Sequence, residues 1–200
     1  MKRKDFTHLI AWAVLILAVI GGNTYGQTVK HHDYTTYFNQ KTHEPDSVSW
    51  TLTPGMINCK THLARTNKFT ADPLIKNTNL DADYAGSGYD RGHQFPAQDA
   101  SCNTTDETEC FYFSNMVLQK PNLNRITWKN LEVYTRKIAS KQVVYVTCGI
   151  TGNLGVIGKD KIVIPAKCWK RLVYGKTVEY YVMPNTDDVK SHPFTFYKVK

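Results

Sequence analysis

A short run of the sequence, Asp90-Arg91-Gly92-His93, combines residue types that can do acid–base chemistry on a phosphate. Arg91 offers a cation to a phosphate oxygen, and the imidazole of His93 can accept a proton from water. The ordinary pKa of histidine lies close to neutrality, which suits it to the role of a general base. A tight turn with a solvated arginine and a capping histidine is the alternative interpretation of the same four residues.

A second polar region, residues 114–125, leads into a predicted helix. It contains Asn115 and Asn124, and Glu132 and Arg136 follow it. In a regular helix Glu132 would lie about 80° round the axis and about 12 Å along it from Asn124, so the two cannot share one coordination position. The alternative interpretation of Glu132 is a surface ion pair with Arg136, one helical turn further on.

The Asp90-Arg91-Gly92-His93 run, the 115–119 block and the spacing from residues 123–124 to Glu132 together resemble the DNA/RNA non-specific endonuclease family. This group of ββα-metal nucleases includes the endonuclease G-like enzymes, and the resemblance covers most of the chain after residue 26. It implies an α+β fold whose antiparallel-sheet core supports a ββα-metal, or His-Me finger, active-site motif.

The resemblance implies that His93 is the general base and that Asn124 is the one protein ligand of Mg²⁺, with Mn²⁺ as the alternative cation. Mg²⁺ keeps most of its water shell and prefers oxygen ligands, so a single amide oxygen is sufficient. The implied substrates are the backbones of DNA and RNA, because attack by water needs no 2′-hydroxyl and phosphate contacts carry no sequence information.

The same resemblance assigns further roles around His93. Arg91 and Glu132 complete the expected catalytic set, Arg91 at the phosphate and Glu132 at a metal-bound water. Arg136 and Asn115 are the expected substrate-binding residues, Arg136 through its guanidinium and Asn115 through hydrogen bonds in the same pocket. Arg65 is a weaker candidate, because its distance in sequence from Asp72-Pro73 departs from the family pattern.

Several predicted elements would position these residues. A strand is predicted at 48–52, ending at the turn signal Thr53-Pro54-Gly55, a loop at 67–90, a short buried strand at 110–113 and a helix at 123–138. Further strands are predicted at 142–150, 161–165, 168–174 and 177–184, the last two joined by a two-residue turn with glycine first. Trp169-Lys170-Arg171 fits a half-buried strand better than a basic nucleic-acid patch.

Composition and charge agree with one basic, folded domain. The chain has 200 residues, 12% of them aromatic, and a formal net charge of +8, which excludes a disordered basic tail and favours a polyanionic partner. Two other classes remain open: an extracytoplasmic nucleic-acid-binding domain without catalysis, and a structural or adhesion domain of the cell envelope. The oligomeric state is left open.

The first 26 residues are predicted to be a signal peptide, with residues 27–200 forming the nuclease domain. Met1-Lys2-Arg3-Lys4 provides the positive start, and an apolar run of 12 residues follows at 9–20. A retained transmembrane anchor is the alternative, but this run is shorter than the about 20 residues needed to cross a bilayer. We therefore expect a secreted or periplasmic protein without a stable membrane anchor.

The five cysteines all follow the predicted cleavage point, where oxidising conditions favour disulfides. No CxxC pair is present, which argues against a structural zinc site. The spacing suggests a Cys102–Cys110 bridge across a polar loop and a Cys148–Cys168 bridge between strands, with Cys59 left over. The alternative is five buried thiols.

Overall fold

A computed structural model of the protein describes residues 26–76, 78 and 81–199. The predicted signal peptide, residues 1–26, lies outside them apart from its last residue. Among the residues described, no helix combines the length and the apolar character needed to span a membrane.

The described part of the chain contains eleven strands. In chain order they are β1 (Gly26–Lys30), β2 (Tyr34–Asn39), β3 (Glu44–Leu52), β4 (Asp90–His93), β5 (Met116–Gln119), β6 (Val144–Thr151), β7 (Val156–Ile157), β8 (Ile162–Val163), β9 (Lys167–Tyr174), β10 (Thr177–Pro184) and β11 (Lys198–Val199). Seven of them form one antiparallel sheet in the spatial order β1-β2-β3-β6-β9-β10-β11. The pairs β4–β5 and β7–β8 form separate two-stranded sheets.

The helices are short except for one. They are α1 (Pro54–Ile57), α2 (Asp81–Tyr84), α3 (Ala97–Ala100), α4 (Thr104–Glu109) and α5 (Lys129–Ala139). A π-helical segment, Leu123–Trp128, runs directly into α5. Leu131, Thr135 and Ala139 recur at four-residue intervals and are buried, because this face of α5 packs on the core.

The inner face of the large sheet forms the floor of the core. Val48, Cys148, Lys170 and Tyr181 stand in one register row across β3, β6, β9 and β10, and all four are buried. Three members of this row are apolar or aromatic, as the alternation of a half-buried strand requires. The fourth is a lysine, whose Nζ atom lies 4.0 Å from Glu132 Oε1 of α5.

Most predicted elements are confirmed, including the α+β class, the antiparallel sheet, the helix after residue 122 and the long strands of the second half. The two-residue hairpin turn is present, with Gly175 at a positive φ of 53°. The strand at 161–165 is shortened to β8. The strand predicted at 110–113 is wrong, because Cys110 caps α4 and Phe113 begins a 3₁₀ turn.

The predicted disulfides are wrong. The bridge joins Cys59 to Cys102, whereas Cys110, Cys148 and Cys168 are buried free thiols. Helix α4 separates Cys102 from Cys110, and six helical residues alone span about 9 Å. Cys148 pairs across the sheet with Lys170, which leaves Cys168 at a diagonal position, about 7–8 Å away and beyond ordinary disulfide reach.

Candidate active site

The β4–β5 hairpin, together with the residues that follow each of its strands, forms one side of the candidate site, which we call the hairpin wall. Its ladder pairs Arg91 with Leu118 and Gly92 with Val117. The buried side chain of Gln119 crosses over Gly92, where a Cβ atom would lie 2.3 Å from its Oε1 atom. Position 92 is therefore restricted to glycine by the close approach of this side chain.

His93 ends β4 in an aromatic setting, in edge-to-face contact with Phe69 and Phe111, whose ring centroids lie 5.6 and 5.0 Å away. The imidazole hydrogen bonds to the main chain of Arg91. Its Nε2 atom is buried and has no hydrogen-bond partner among the residues that the structure describes. Burial, together with the positive charges of Arg65 and Arg91, lowers the pKa of His93 to about 3, so the imidazole is neutral at physiological pH.

Asn115 lies behind the hairpin wall and is fully buried. Its Oδ1 atom accepts a hydrogen bond from the Phe95 N–H at 2.7 Å. Its Nδ2 group donates to the carbonyl oxygens of Phe95 and Cys110, at 2.9 and 2.8 Å. The Asn115 side chain thus bonds to the main chain at Phe95, two residues after His93, and at Cys110, whereas hydrogen bonds in the substrate pocket were expected.

The π-helical segment and α5, Leu123–Ala139, form the opposite side, which we call the helix wall. Asn124 donates its amide N–H to Asp90 Oδ2 at 2.9 Å. Arg125 donates to both carboxylate oxygens of Asp90, from Nε to Oδ2 at 2.8 Å and from Nη2 to Oδ1 at 2.6 Å. Asp90 belongs to β4, so this carboxylate ties the helix wall to the hairpin wall. This hydrogen bond uses the nitrogen of the Asn124 side-chain amide. The carbonyl oxygen of the same amide is not used in it and is the atom that can coordinate a cation.

Glu132 and Arg136 each have an ion-pair partner from another element. Arg136 Nη1 lies 3.1 Å from Asp99 Oδ1, and Lys170 Nζ lies 4.0 Å from Glu132 Oε1. Burial raises the pKa of the Glu132 carboxyl group, while the charges of Lys170 and Arg136 act in the opposite direction. The alternative of a surface pair between Glu132 and Arg136 is therefore not observed.

The two walls enclose a cavity of about 390 Å³. Of the residues expected at the site, five line it: Arg91, His93, Asn124, Glu132 and Arg136. Asn115 is the one that does not. Residues far apart in the sequence thus converge on one polar, largely cationic cavity.

Arg65, the weaker candidate, also lines this cavity. Its guanidinium lies over the Phe111 ring, 5.2 Å from the centroid. The irregular segment that carries it is fastened at Leu63, whose N–H donates to the Ser101 carbonyl at 2.7 Å, and by the Cys59–Cys102 disulfide. Tertiary attachments, rather than any regular secondary structure, bring Arg65 to the cavity.

Sequence reasoning missed several residues that line the cavity or support it. Arg125, Lys129 and Glu107 line it without having been assigned a role. The spacing of residues 125, 129, 132 and 136 contained a usable signal, because steps of three and four place side chains on one helical face. Nothing in the sequence pointed to Glu107, whose Oε1 atom accepts the Thr66 N–H at 3.0 Å.

Oxygen atoms from Asn124 and Glu132 fit a hard cation such as Mg²⁺ better than a thiophilic metal. Two other groups with ligand spacing occur in the part of the chain that the structure describes, and neither lines the cavity. One is Cys59, His62 and Cys102, whose two sulfur atoms are joined to each other. The second group consists of His32, Asp33 and Asp106.

Comparisons with known proteins agree with this geometry. Residues 16–200 match the model of a family described as DNA/RNA non-specific endonuclease. A nuclease of Nostoc sp. is 43% identical over 91 residues, which cover 45% of this chain and 33% of that protein. Human mitochondrial endonuclease G is 38% identical over 122 residues, covering 52% of this chain and 41% of that protein.

The chain thus spans between a third and a half of the length of such curated relatives. A chain in the crystal structure of the EndoG/EndoGI complex superposes with a TM-score of 0.80 at 27% identity. That match covers 86% of this chain and 80% of the other. It supports the predicted ββα-metal fold, in which a two-stranded hairpin and a following helix form the site.

Proposed function

Because the chain belongs to the DNA/RNA non-specific endonuclease family, we propose that it is a Mg²⁺-dependent endonuclease that hydrolyses phosphodiester bonds of DNA and RNA. The observation that supports this most directly is the state of His93. A neutral imidazole, buried and with an unpartnered Nε2 atom, lies in a cavity shared with Asn124 and arginine side chains.

In the proposed reaction, His93 takes a proton from the attacking water through Nε2. The main-chain hydrogen bond from the other side of the ring fixes the tautomer and the orientation of the imidazole. Burial, together with the positive charges of Arg65 and Arg91, keeps the free imidazole weakly basic. A phosphate bound between these arginines offsets their charge and raises the basicity of His93 when substrate is present.

Arg91 and Arg136 are suited to hold the phosphate from opposite walls of the cavity. Their planar, forked N–H groups match the oxygens of a phosphate, and they are placed to stabilise the charge that grows on it. Glu132 is placed to accept a hydrogen bond from water in the cavity. Cationic contacts to phosphates give affinity without reading the bases, which agrees with cleavage at any sequence.

The cation is proposed to bind at the Asn124 carbonyl oxygen, in reach of waters oriented by Glu132. When bound, Mg²⁺ would supply positive charge next to the phosphate and lower the barrier to hydrolysis. Asp90 restrains the Asn124 amide through its hydrogen bond, so that the carbonyl oxygen is the atom presented to the cation. Mn²⁺ is the expected substitute, since it accepts the same oxygen ligands.

The test is digestion of supercoiled plasmid and of RNA by residues 27–200, with Mg²⁺ or with EDTA. We expect cleavage of both substrates with Mg²⁺, almost none with EDTA, and a rate at least about a hundredfold lower for His93→Ala. His192→Ala is the matched control, since this histidine is exposed and outside the cavity, and it should retain wild-type activity.

Three outcomes would overturn all or part of the proposal. DNA binding without cleavage by the wild-type protein would favour the inactive nucleic-acid-binding domain. Cleavage by His93→Ala at the wild-type rate would remove His93 as the base. Lack of both cleavage and salt-sensitive DNA binding would favour a structural role in the cell envelope.

We also propose that the protein is exported and that residues 1–26 are removed. This rests on the positive start and the short apolar run of the sequence. Expression of the full chain in a bacterium, followed by N-terminal sequencing of the exported protein, should give a start near Gln27. Retention of the whole chain in the membrane fraction would instead support an anchor.

A further inference from the structure

Lys170 is a buried lysine on the inner face of β9, with only 1% of its surface exposed. Its cross-strand neighbours are Cys148 and Tyr181. An ammonium group removed from water destabilises the fold unless nearby groups compensate its charge. The identity of those groups indicates what this lysine does.

Two kinds of group compensate it. The Nζ atom lies 4.4 Å from the centroid of the Trp128 ring and 5.6 Å from that of Trp50, within the range of cation–π attraction. Its ion-pair partner is the Glu132 carboxylate at 4.0 Å. Trp128 and Glu132 belong to the helix wall. The ammonium group therefore lies between the large sheet and the helix wall.

Asp99 is a second buried charged residue, and it supports Arg136 in the same way. Asp99 accepts from Arg136 Nη1 at 3.1 Å and from Trp50 Nε1 at 3.2 Å. Glu132 and Arg136 line the cavity, whereas Lys170 and Asp99 do not. Glu132 and Arg136 are therefore each backed by an opposite charge from another element.

We propose that Lys170 is a positioning residue that holds the Glu132 carboxylate in its working place, as Asp99 holds Arg136. The proposal rests on the proposed function, in which Glu132 orients water in the cavity. At 4.0 Å the contact is a charge–charge attraction rather than a short hydrogen bond, and it is effective because the surroundings exclude water. Lys170 itself does not touch the substrate.

A merely structural role for Lys170 predicts a different response to mutation. Removing one partner of a buried ion pair leaves the other charge without compensation and lowers stability, whereas replacing both partners is often neutral. Lys170→Met should therefore lower both stability and activity in the wild-type protein, and both losses should be small when Glu132→Gln has already removed the carboxylate charge. A packing role would give the same losses whether or not the Glu132 charge is present.

The first experiment compares Lys170→Met and Lys170→Arg with wild type on a fluorogenic oligonucleotide with Mg²⁺. We expect the kcat of Lys170→Met, measured well below its melting temperature, to fall at least about tenfold with KM within about twofold, and Lys170→Arg to recover much of the loss. Lys167→Met, an exposed lysine on the same strand, is the matched control and should behave as wild type. A wild-type kcat for Lys170→Met would overturn the proposal.

A double-mutant cycle tests the route through Glu132. Glu132→Gln removes the charge that Lys170 holds, so adding Lys170→Met to it should lower kcat by less than about twofold more. If the two substitutions lowered kcat by independent factors that multiply in the double mutant, the proposal would be contradicted. Should Lys170→Met fail to fold, Lys170→Gln takes its place in the same cycle. An inactive wild-type protein would refute the nuclease function, whereas an active one with fully independent effects refutes this inference alone.

Discussion

The two walls of the cavity are held in place by different forces. In the hairpin wall, strand pairing and close contacts with the main chain fix the geometry: His93 ends a paired strand, the Gln119 side chain crosses Gly92, and the Asn115 side chain bonds to the main chain of Phe95. In the helix wall, charges from distant elements do the positioning, at Asp90, Asp99 and Lys170. Substitutions behind the hairpin wall should therefore act mainly on stability, whereas those behind the helix wall should lower turnover as well.

The largest effect on stability is expected from Asn115→Ala. The change leaves the N–H and carbonyl of Phe95 and the carbonyl of Cys110 without their partner, and each buried unsatisfied group costs about 1–3 kcal/mol. The free energy of unfolding, measured by urea denaturation, should fall by about 4 kcal/mol. Asn130→Ala, on an exposed position of α5, should change it by no more than about 0.5 kcal/mol. Equal effects of the two would contradict the comparison.

Gly92→Ala should have the next largest effect. The new methyl group would overlap the buried Gln119 side chain, and overpacking of this kind costs about 1–3 kcal/mol. Gly55→Ala is the control, because its nearest neighbour, Thr53 Oγ1, would lie at an ordinary 3.7 Å. A Gly92→Ala protein as stable as wild type would show that Gln119 moves freely.

The pH dependence of stability should contain a contribution from His93. Its pKa falls from 6.5 to about 3 on folding, so between these values the unfolded chain binds more protons than the folded one. Stability is therefore lost as pH falls from 6.5 towards 3, by up to about 1.4 kcal/mol per pH unit from this group. The free energies of unfolding of wild type and His93→Asn, measured by urea denaturation at pH 7, 5.5 and 4.5, give this contribution as their difference. A difference that did not change with pH would rule out a buried neutral imidazole.

The smallest effect concerns the exposed cations of the helix wall. Lys129→Ala should leave stability unchanged and lower the slope of log affinity for DNA against log salt by about one. Lys176→Ala, in the exposed β9–β10 turn, should leave that slope as it is. Filter binding with EDTA at several salt concentrations gives both slopes. A slope for Lys129→Ala equal to that of wild type would show that Lys129 does not contact the DNA backbone.

The same contrast explains what the sequence could predict. The hairpin wall depends on residues adjacent in the chain, so the Asp90-to-His93 run was recognisable, as were the long strands and the helix. The ion pairs behind the helix wall join Glu132 to Lys170 and Arg136 to Asp99, and no local pattern encodes such contacts. Sequence spacing also misassigned the disulfides, since it carries no information on strand register or on a helix between two cysteines. The strands β1 and β2 were not predicted.

The Cys59–Cys102 bridge has a practical consequence for making the protein. The bond spans 43 residues of sequence, whereas the other three thiols are enclosed in the core. In a denatured chain all five compete for partners, and only burial of Cys110, Cys148 and Cys168 withdraws them from exchange. Refolding from inclusion bodies should therefore give the correct isomer when the core is allowed to form under reducing conditions first, with oxidant added afterwards.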